Sequence, residues 1–317
     1  MELPPSQWVD LDGPVHHVDH GGPDGAPLLV LVHGLGGSHV NWAAIAPALA
    51  REHRVRALDL AGFGLTRGGG TRSTSVQANR RLLHRFLTEV CGAPAVLVGN
   101  SMGGLICLLT AAEHPEAVSG TVLIDPALPV HRAAPPGPAV AALFAAYSTP
   151  GVGKALMRGR RRTSTPEQWA MQTLRLCCVD PSRVPPEVVR AHIEFATSRG
   201  TYPALEQEFV VATRSMLSVL ARRRRFEELL AGLRTPVLLI HGEKDRLIRV
   251  AAARQAARSY PSWRYEEVAD VGHVPQLEAA EWTLRTITSW LAAEGAPAAV
   301  AARAAIAPPS PVARPSG

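Results

Sequence analysis

Apolar positions along this 317-residue chain fall into two alternating kinds of run. Short runs of Val, Leu and Ile without polar alternation are separated by longer stretches in which apolar residues recur at helical spacing. "VHHVDHGG" ends in a turn signal, and "PLLVLVHG" then reads as a buried strand closing at His33 and Gly34. "NWAAIAPALA" reads as a helix, and "HRVRALDLAGFG" as the next strand with a glycine-rich loop. "SVQANRRLLHRFLTEV" has a helical period, "PAVLVGN" is strand, "SMGGLICLLTAAEH" helix and "GTVLIDPA" strand again. Strand alternating with helix predicts βαβ units, and strands with no polar face predict a mostly parallel sheet covered by helices on both sides.

After "IDPALP" the pattern changes. Residues 127 to about 232 hold no buried strand of this kind but several helical segments broken by proline and glycine. In "TPEQWAMQTLRL", Thr165, Pro166 and Gln168 form a capped helix start, and "PPEVVRAHIEFA" and "YPALEQEFVVATRSMLSVL" read likewise as helix. Strand character returns at "TPVLLIHGEKD" and "WRYEEVADVGH", followed by the helix "LEAAEWTLRTITSWL". The expected organisation is an α/β core over 1–126 and 233–292, interrupted by a helical insert over 127–232. The tail, 293–317, is rich in Ala and Pro with no apolar face to bury, and is expected to be disordered.

Composition narrows the class. A chain of this length buries roughly three quarters of its unfolded surface, enough for one substantial core. Apolar residues make up 46% and charged residues 19%, the profile of a globular protein. Cys91, Cys107, Cys177 and Cys178 lack metal-ligand spacing, so free thiols in a reducing, cytoplasmic compartment are expected. The N-terminus has no basic segment followed by an apolar stretch, and no apolar run is long enough to span a membrane. The formal charge of +6 gathers in two arginine runs, 158–162 and 222–225. Neither is interleaved with base-stacking aromatics, so no nucleic-acid partner is expected; solvated helix faces, or an acidic surface or substrate, account for them.

Candidate chemistry centres on "GNSMGG". Ser101 follows a strand and precedes a helix, and Gly99 and Gly103 stand two residues to either side, where a side chain would clash as strand turns into helix. Such a serine needs a base and an acid to orient it. "HGEKDRLI" places Asp245 just past one strand, and "ADVGHVPQLE" places His273 in the loop after the next. Asp125, at the end of "TVLID", and Glu243 compete for the acid role. His33 and His241, at buried strand ends beside glycine, are expected to hydrogen-bond locally. Oxyanion donors would be the backbone N–H groups of Met102 and of Leu35 in "HGLGGS".

With "LLVLVHGLGGS", "ALDLAGFGLT", "LVGNSMGG", "PVLLIHGEKD" and "GHVPQLE" in this order, the chain resembles the α/β-hydrolase superfamily over nearly its whole ordered length. The resemblance implies a sheet of about eight strands, a helical cap inserted after the sixth, an active site between cap and core, and no cofactor or metal. Serine at position 101 argues against the dehalogenases and epoxide hydrolases of the superfamily, which use aspartate there. Carboxylesterases fit. The meta-cleavage-product hydrolases, which cut carbon–carbon bonds, share an elbow like "GNSMGG", but commonly carry "HG-x-GPG" and a tryptophan after the histidine, where this chain has "HGLGGS" and Val274. The arginines of 158–162 or Arg190 could hold the carboxylate such a substrate carries.

The resulting expectation is a serine hydrolase with Ser101 as nucleophile, His273 as base, Asp245 as acid and Leu35 and Met102 as oxyanion donors. Its partner would be a small or medium ester with an apolar portion. The alternatives are carbon–carbon hydrolysis and a non-catalytic, ligand-binding descendant of the fold.

Overall fold

The computed structural model describes residues 3–68, 72–129, 137–149, 151–199 and 204–295. Its centre is one eight-stranded sheet. In chain order the strands are β1 (Ser6–Asp10), β2 (Pro14–Gly21), β3 (Leu28–Val32), β4 (Arg54–Leu58), β5 (Ala95–Asn100), β6 (Val118–Ile124), β7 (Val237–Gly242) and β8 (Arg264–Val268). In space they run β1-β2-β4-β3-β5-β6-β7-β8. β2 is antiparallel to both β1 and β4, and every pairing from β4 to β8 is parallel. The parallel strands therefore end at one edge, and the loops carrying Leu35, Ser101, Asp125, Asp245 and His273 all leave from it. In open parallel sheets that edge is where ligands bind.

Successive residues of each central strand feed opposite layers, as the pleat requires. Val30, Val32, Leu97, Leu123 and Leu239 pack on one face against α2 (Val76–Arg85), which continues with π-helical spacing to Cys91, and α3 (Met102–Glu113). Leu29, Leu31, Val96, Val98, Leu238 and Ile240 pack on the other against Trp42, Leu49 and Trp290. That face is covered by α1 (Ala46–Leu49) and, past the last strand, α12 (Ala280–Trp290). The central strands are buried on both faces, which explains why their sequences lack polar alternation.

Between β6 and β7 the chain runs through helices alone among the described residues: α4 (Pro138–Ser148), α5 (Val152–Thr163), α6 (Pro166–Cys177), α7 (Pro186–Arg199), α8 (Leu205–Ala221) and α9 (Arg223–Leu230). Thr165 caps α6 as its sequence predicts, its hydroxyl accepting from Gln168 N at 3.1 Å while Gln168 Oε1 accepts from Thr165 N at 2.9 Å. Leu174, Cys178, Val184 and Val188 form an apolar seam with Val40, Ala43, Val274 and Leu277, which fastens α6 and α7 to the core beside the His273 loop. After β7 come α10 (Val250–Ser259) and, following β8, the short α11 (Pro275–Glu278).

Three local differences from the sequence pattern have identifiable causes. "NWAAIAPALA" is not one helix: Ser38 and Asn41 cap a 3-10 turn at His39–Trp42, and a separate single turn begins at Ala46 with Pro47 in its opening positions, where the missing N–H is tolerated. The helix expected from Leu277 breaks at Ala279, because the buried Glu278 carboxylate turns back to accept from Asp180 N at 2.7 Å and Gly272 N at 2.8 Å. β1 gives almost no sequence signal, since it is a largely exposed edge strand. The expected disordered tail lies, beyond Gly295, outside the described residues.

Candidate active site

Ser101 stands between β5 and α3 with φ 57° and ψ −120°, a conformation that L-residues avoid unless the surroundings hold it. Its N–H donates to Ile124 O at 3.0 Å, and its carbonyl accepts from Ala127 N at 3.0 Å and Leu105 N at 3.1 Å. The flanking glycines leave no room for a methyl group. A Cβ on Gly103 would stand 2.2 Å from Val32 O, and one on Gly99 would stand 2.7 Å from the Gly103 backbone. α3 can begin directly over the end of β3 only because those atoms are missing.

The oxyanion candidates lie beside this turn. Met102 is the first residue of α3, so its N–H has no partner within its own helix. Gly34, which precedes Leu35, comes so close to the elbow that a Cβ there would be 3.0 Å from Ser101 Cβ. The 33–42 loop is fixed from behind. His33 Nδ1–H donates to Gly34 O at 2.8 Å, and its Nε2 accepts from Leu60 N at 3.1 Å. Burial lowers the His33 pKa to about 4 against the opposing pull of Asp59, so the ring is neutral in the tautomer those partners require.

Asp59 anchors the same loop. Its carboxylate accepts from His39 N at 2.6 Å, Leu65 N at 2.8 Å and His16 Nδ1 at 2.7 Å, with His39 Nδ1 at 3.0 Å. Burial disfavours its charge, but the hydrogen bonds from His16 and His39 prevail and hold the carboxyl far below the usual carboxylate range. The sequence pattern did not single out Asp59, His16 or His39. They come together from segments far apart in the chain, and only "ALDLAGFG" hints at the carboxylate. His16, His39 and Asp59 could in principle offer a metal three ligand atoms, but the 2.7 Å nitrogen–oxygen separation is that of a shared proton.

Asp245 and His273 are brought together. His273 Nδ1 donates to Asp245 Oδ2 at 2.7 Å, and both side chains are nearly fully buried. Asp245 Oδ1 accepts from Leu247 N at 2.7 Å and Ile248 N at 3.0 Å, which orients the carboxylate. With Nδ1 so engaged, Nε2 is the ring nitrogen left to take up a proton. The loop is clamped on both sides: His273 N donates to Cys177 O at 2.7 Å, and Asn100 Nδ2 donates to His273 O at 3.1 Å and to Ile124 O at 3.0 Å. Asn100 and Cys177, neither given a role at the site from the sequence, thus tie His273 to the residue before Ser101 and to the last residue of α6.

Asp125 is buried beside Asp245 but does not reach His273. Its Oδ1 accepts from Gly242 N at 3.0 Å and lies 3.4 Å from His241 Nε2, which in turn lies 3.6 Å from Asp245 Oδ2 and donates to Ile248 O at 2.8 Å. Burial first, and then the Asp245 charge, push the Asp125 carboxyl well above its ordinary value. Burial acts on Asp245 too, but the charge and hydrogen bond of His273 outweigh it and hold that carboxyl low. Of two neighbouring buried acids, Asp245 carries the charge and Asp125 the proton. Glu243 turns away to accept from Asp270 N at 3.2 Å.

The profile describing the alpha/beta hydrolase fold matches residues 27–280. The chain belongs to the alpha/beta hydrolase family. Among curated members, it is 29% identical over 276 residues to the dihydrolipoyllysine-residue acetyltransferase component of the acetoin cleaving system of Pseudomonas putida, covering 86% of this chain and 65% of that one. It is 22% identical to the monoacylglycerol lipase ABHD6 of Homo sapiens, over 88% of this chain and 81% of the relative. A lipase structure from Acinetobacter baumannii superposes with a TM-score of 0.72 at 24% identity, covering 91% of each chain. That likeness shows the fold. An eight-stranded, mostly parallel sheet flanked by helices carries the chain's candidate residues at one edge.

No helix among the described residues is long and apolar enough to cross a membrane. All four cysteines are free thiols, and burial raises the pKa of each.

Proposed function

We propose that this protein is a serine hydrolase cleaving a small or medium carboxylic ester through an acyl-enzyme intermediate. The observation that carries the reading is the 2.7 Å hydrogen bond from His273 Nδ1 to Asp245, formed at the strand edge from which Ser101 rises on its strained turn. Ser101 Oγ attacks the ester carbonyl carbon while His273 Nε2 takes the hydroxyl proton. The carbonyl oxygen, now anionic, is met by the N–H groups of Leu35 and Met102. Collapse breaks the bond to the alkoxide, which leaves with the proton from His273. Water, deprotonated by the same nitrogen, then releases the acid and restores Ser101. Asp245 holds the tautomer and stabilises the imidazolium. None of these steps calls for a cofactor or metal.

In this reading residues 127–232 form a cap over the site and the core comprises 1–126 and 233–292. The apolar cap helices favour an ester with an apolar acyl or alcohol part, as the lipase named among the relatives would suggest. Its free thiols fit a cytoplasmic location. Carbon–carbon hydrolysis would require a group for the substrate's carboxylate. Arg158 and Arg162 are exposed and Arg160 stacks on Trp169, which disfavours these three for that task.

The test is labelling by a fluorophosphonate with mass mapping, together with turnover of p-nitrophenyl esters of graded acyl length. Ser101 is expected to carry the label, and Ser101→Ala to lower kcat by about four to six orders of magnitude without unfolding. Label on another residue with the mutant still active would overturn the mechanism. Weak ester turnover beside rapid bleaching of a 2-hydroxy-6-oxo-dienoate would overturn the substrate class in favour of carbon–carbon cleavage.

A further inference from the structure

We infer that the first helical hairpin of the cap, α4 with α5, is a docking surface for an anionic lipid interface. The first observation is charge. Between Asp125 and Glu167 the sequence contains no acidic residue, yet it holds Arg132, Lys154, Arg158, Arg160, Arg161 and Arg162. These six cations equal the formal excess of +6 of the whole chain. The other arginine run behaves differently. On α9, Arg223 donates to Glu227 at 2.6 Å and Arg224 to Glu228 at 2.9 Å, so two of that run's four arginines are neutralised along their own helix. Among the described residues, Lys154, Arg158 and Arg162 make no ion pair, and all three are exposed.

The second observation is apolar surface on the same hairpin. No residue of α4 is buried, although Ala139 to Ala146 is entirely apolar. On α5, Val152 and Leu156 are 44% and 43% exposed. At the helical period, the buried Gly153 and Met157 mark the inner face of α5. The outward side divides into an apolar strip, with Ala155, Gly159, Val152 and Leu156, and a basic strip, with Lys154, Arg158 and Arg162. Gly153 lets the two helices close up, since a Cβ there would stand 2.3 Å from Tyr147 O. This pairing of strips is the physical signature of a helix lying in a lipid–water interface: cations meet phosphates, and aliphatic side chains enter the acyl boundary.

The pairing decides the occupant. A nucleic acid would neutralise the cations and leave Val152 and Leu156 in water. A second copy of the chain would bring an identical basic strip and be repelled. The hairpin is also close to the candidate site: Tyr147 packs edge-on against Phe209 of α8, with ring centroids 5.2 Å apart, and Phe209 lies 3.4 Å from where a Cβ on Gly36 would stand. Two side chains thus separate the surface from the Leu35 loop. Resting on the hydrolase reading, docking here would bring esters dissolved in a bilayer to the cap; the docking itself does not depend on that reading.

The test is flotation of the full-length Ser101→Ala protein with vesicles of phosphatidylcholine, alone or with about one third phosphatidylglycerol, at low and high salt. Each basic residue near an anionic surface strengthens partitioning about fivefold. The expected result is at least tenfold preference for the anionic vesicles, lost at high salt. K154Q/R158Q is expected to lower partitioning about 25-fold, and V152S/L156S to lower it at both salt concentrations. The same pairs of substitutions with Ser101 intact should leave turnover of a short, water-soluble ester unchanged, which separates docking from misfolding. Equal binding to neutral vesicles, no binding to either, or unaltered binding by K154Q/R158Q would overturn the inference. So would charge-dependent binding of a single-stranded RNA oligomer without vesicle binding. Anionic vesicle binding with no ester turnover in the intact protein would leave the inference standing and overturn the hydrolase reading.

Discussion

Asp125 and Asp245 approach the same nitrogen of His241, at 3.4 Å and 3.6 Å, yet only Asp245 extends on to His273. Both carboxyl groups are buried, and two such groups this close do not both ionise. His273 selects which one does. The proton kept on Asp125 prevents a second negative charge from competing for the imidazole.

This relationship separates the two acids in a kinetic experiment. Asp245→Asn is expected to lower kcat by about four orders of magnitude, because an amide can hold His273 in the wrong tautomer. Asp125→Asn replaces a neutral acid by a neutral amide and is expected to stay within about tenfold of the parent. Measuring both kcat values on one ester checks the assignment; the reverse order would make Asp125 the orienting acid.

Asp125→Asn is also expected to stabilise the fold. The native pKa of Asp125 is raised above its unfolded value, so within that window the native state binds a proton that the unfolded state does not. The group's contribution is fully present below the unfolded value, near pH 4, and is lost as pH rises toward the native one. The slope of that loss is at most about 1.4 kcal/mol per pH unit. Urea melts of parent and mutant at pH 4 and pH 7 should therefore show the mutant gaining stability at the higher pH. Parallel pH profiles would mean Asp125 is ionised in the fold.

The opposite sign governs the buried histidines. Burial lowers His33 and His17 to about 4, so both are neutral in the fold while the unfolded chain takes up protons below about pH 6.5. Stability is expected to fall between pH 6.5 and 4. His17→Gln should flatten part of that fall, read as the change in denaturation midpoint with pH. A midpoint equally steep in parent and mutant would remove His17 from the account.

At the elbow, Gly103→Ala places a methyl group against the carbonyls of Val32 and His33 at 2.2 and 2.4 Å. The neighbours are backbone of a central strand and cannot step aside. The expected loss is about 1–3 kcal/mol or more, together with loss of turnover as α3 shifts and carries Met102 with it. Thermal melts and ester turnover measured together check this, and a mutant with parental stability would mean that the elbow tolerates a side chain.

The fold and most of the candidate site were legible in the sequence because they depend on local pattern. Uninterrupted apolar runs such as "LLVLV" specify strands buried on both faces, their alternation with helical periods specifies a parallel sheet, and Gly99, Ser101 and Gly103 mark a turn that only small neighbours permit. Asp245 and His273 could be placed because both follow recognisable strands. Asp245 could be named as the acid from its loop, and it is the one that meets His273, but what keeps Asp125 from that role could not be read, since both follow strands and differ in what the packing of β6, β7 and the His273 loop sets beside them. The same holds for Asn100 and the Cys177 carbonyl, which clamp His273 from residues 173 and 96 positions away in the chain. It holds too for Asp59, which meets His16 and His39 only once β2 and β4 pair. Hydrophobic periodicity records which face of an element is buried, but not which polar group on another element waits there, and that was decided by tertiary structure alone.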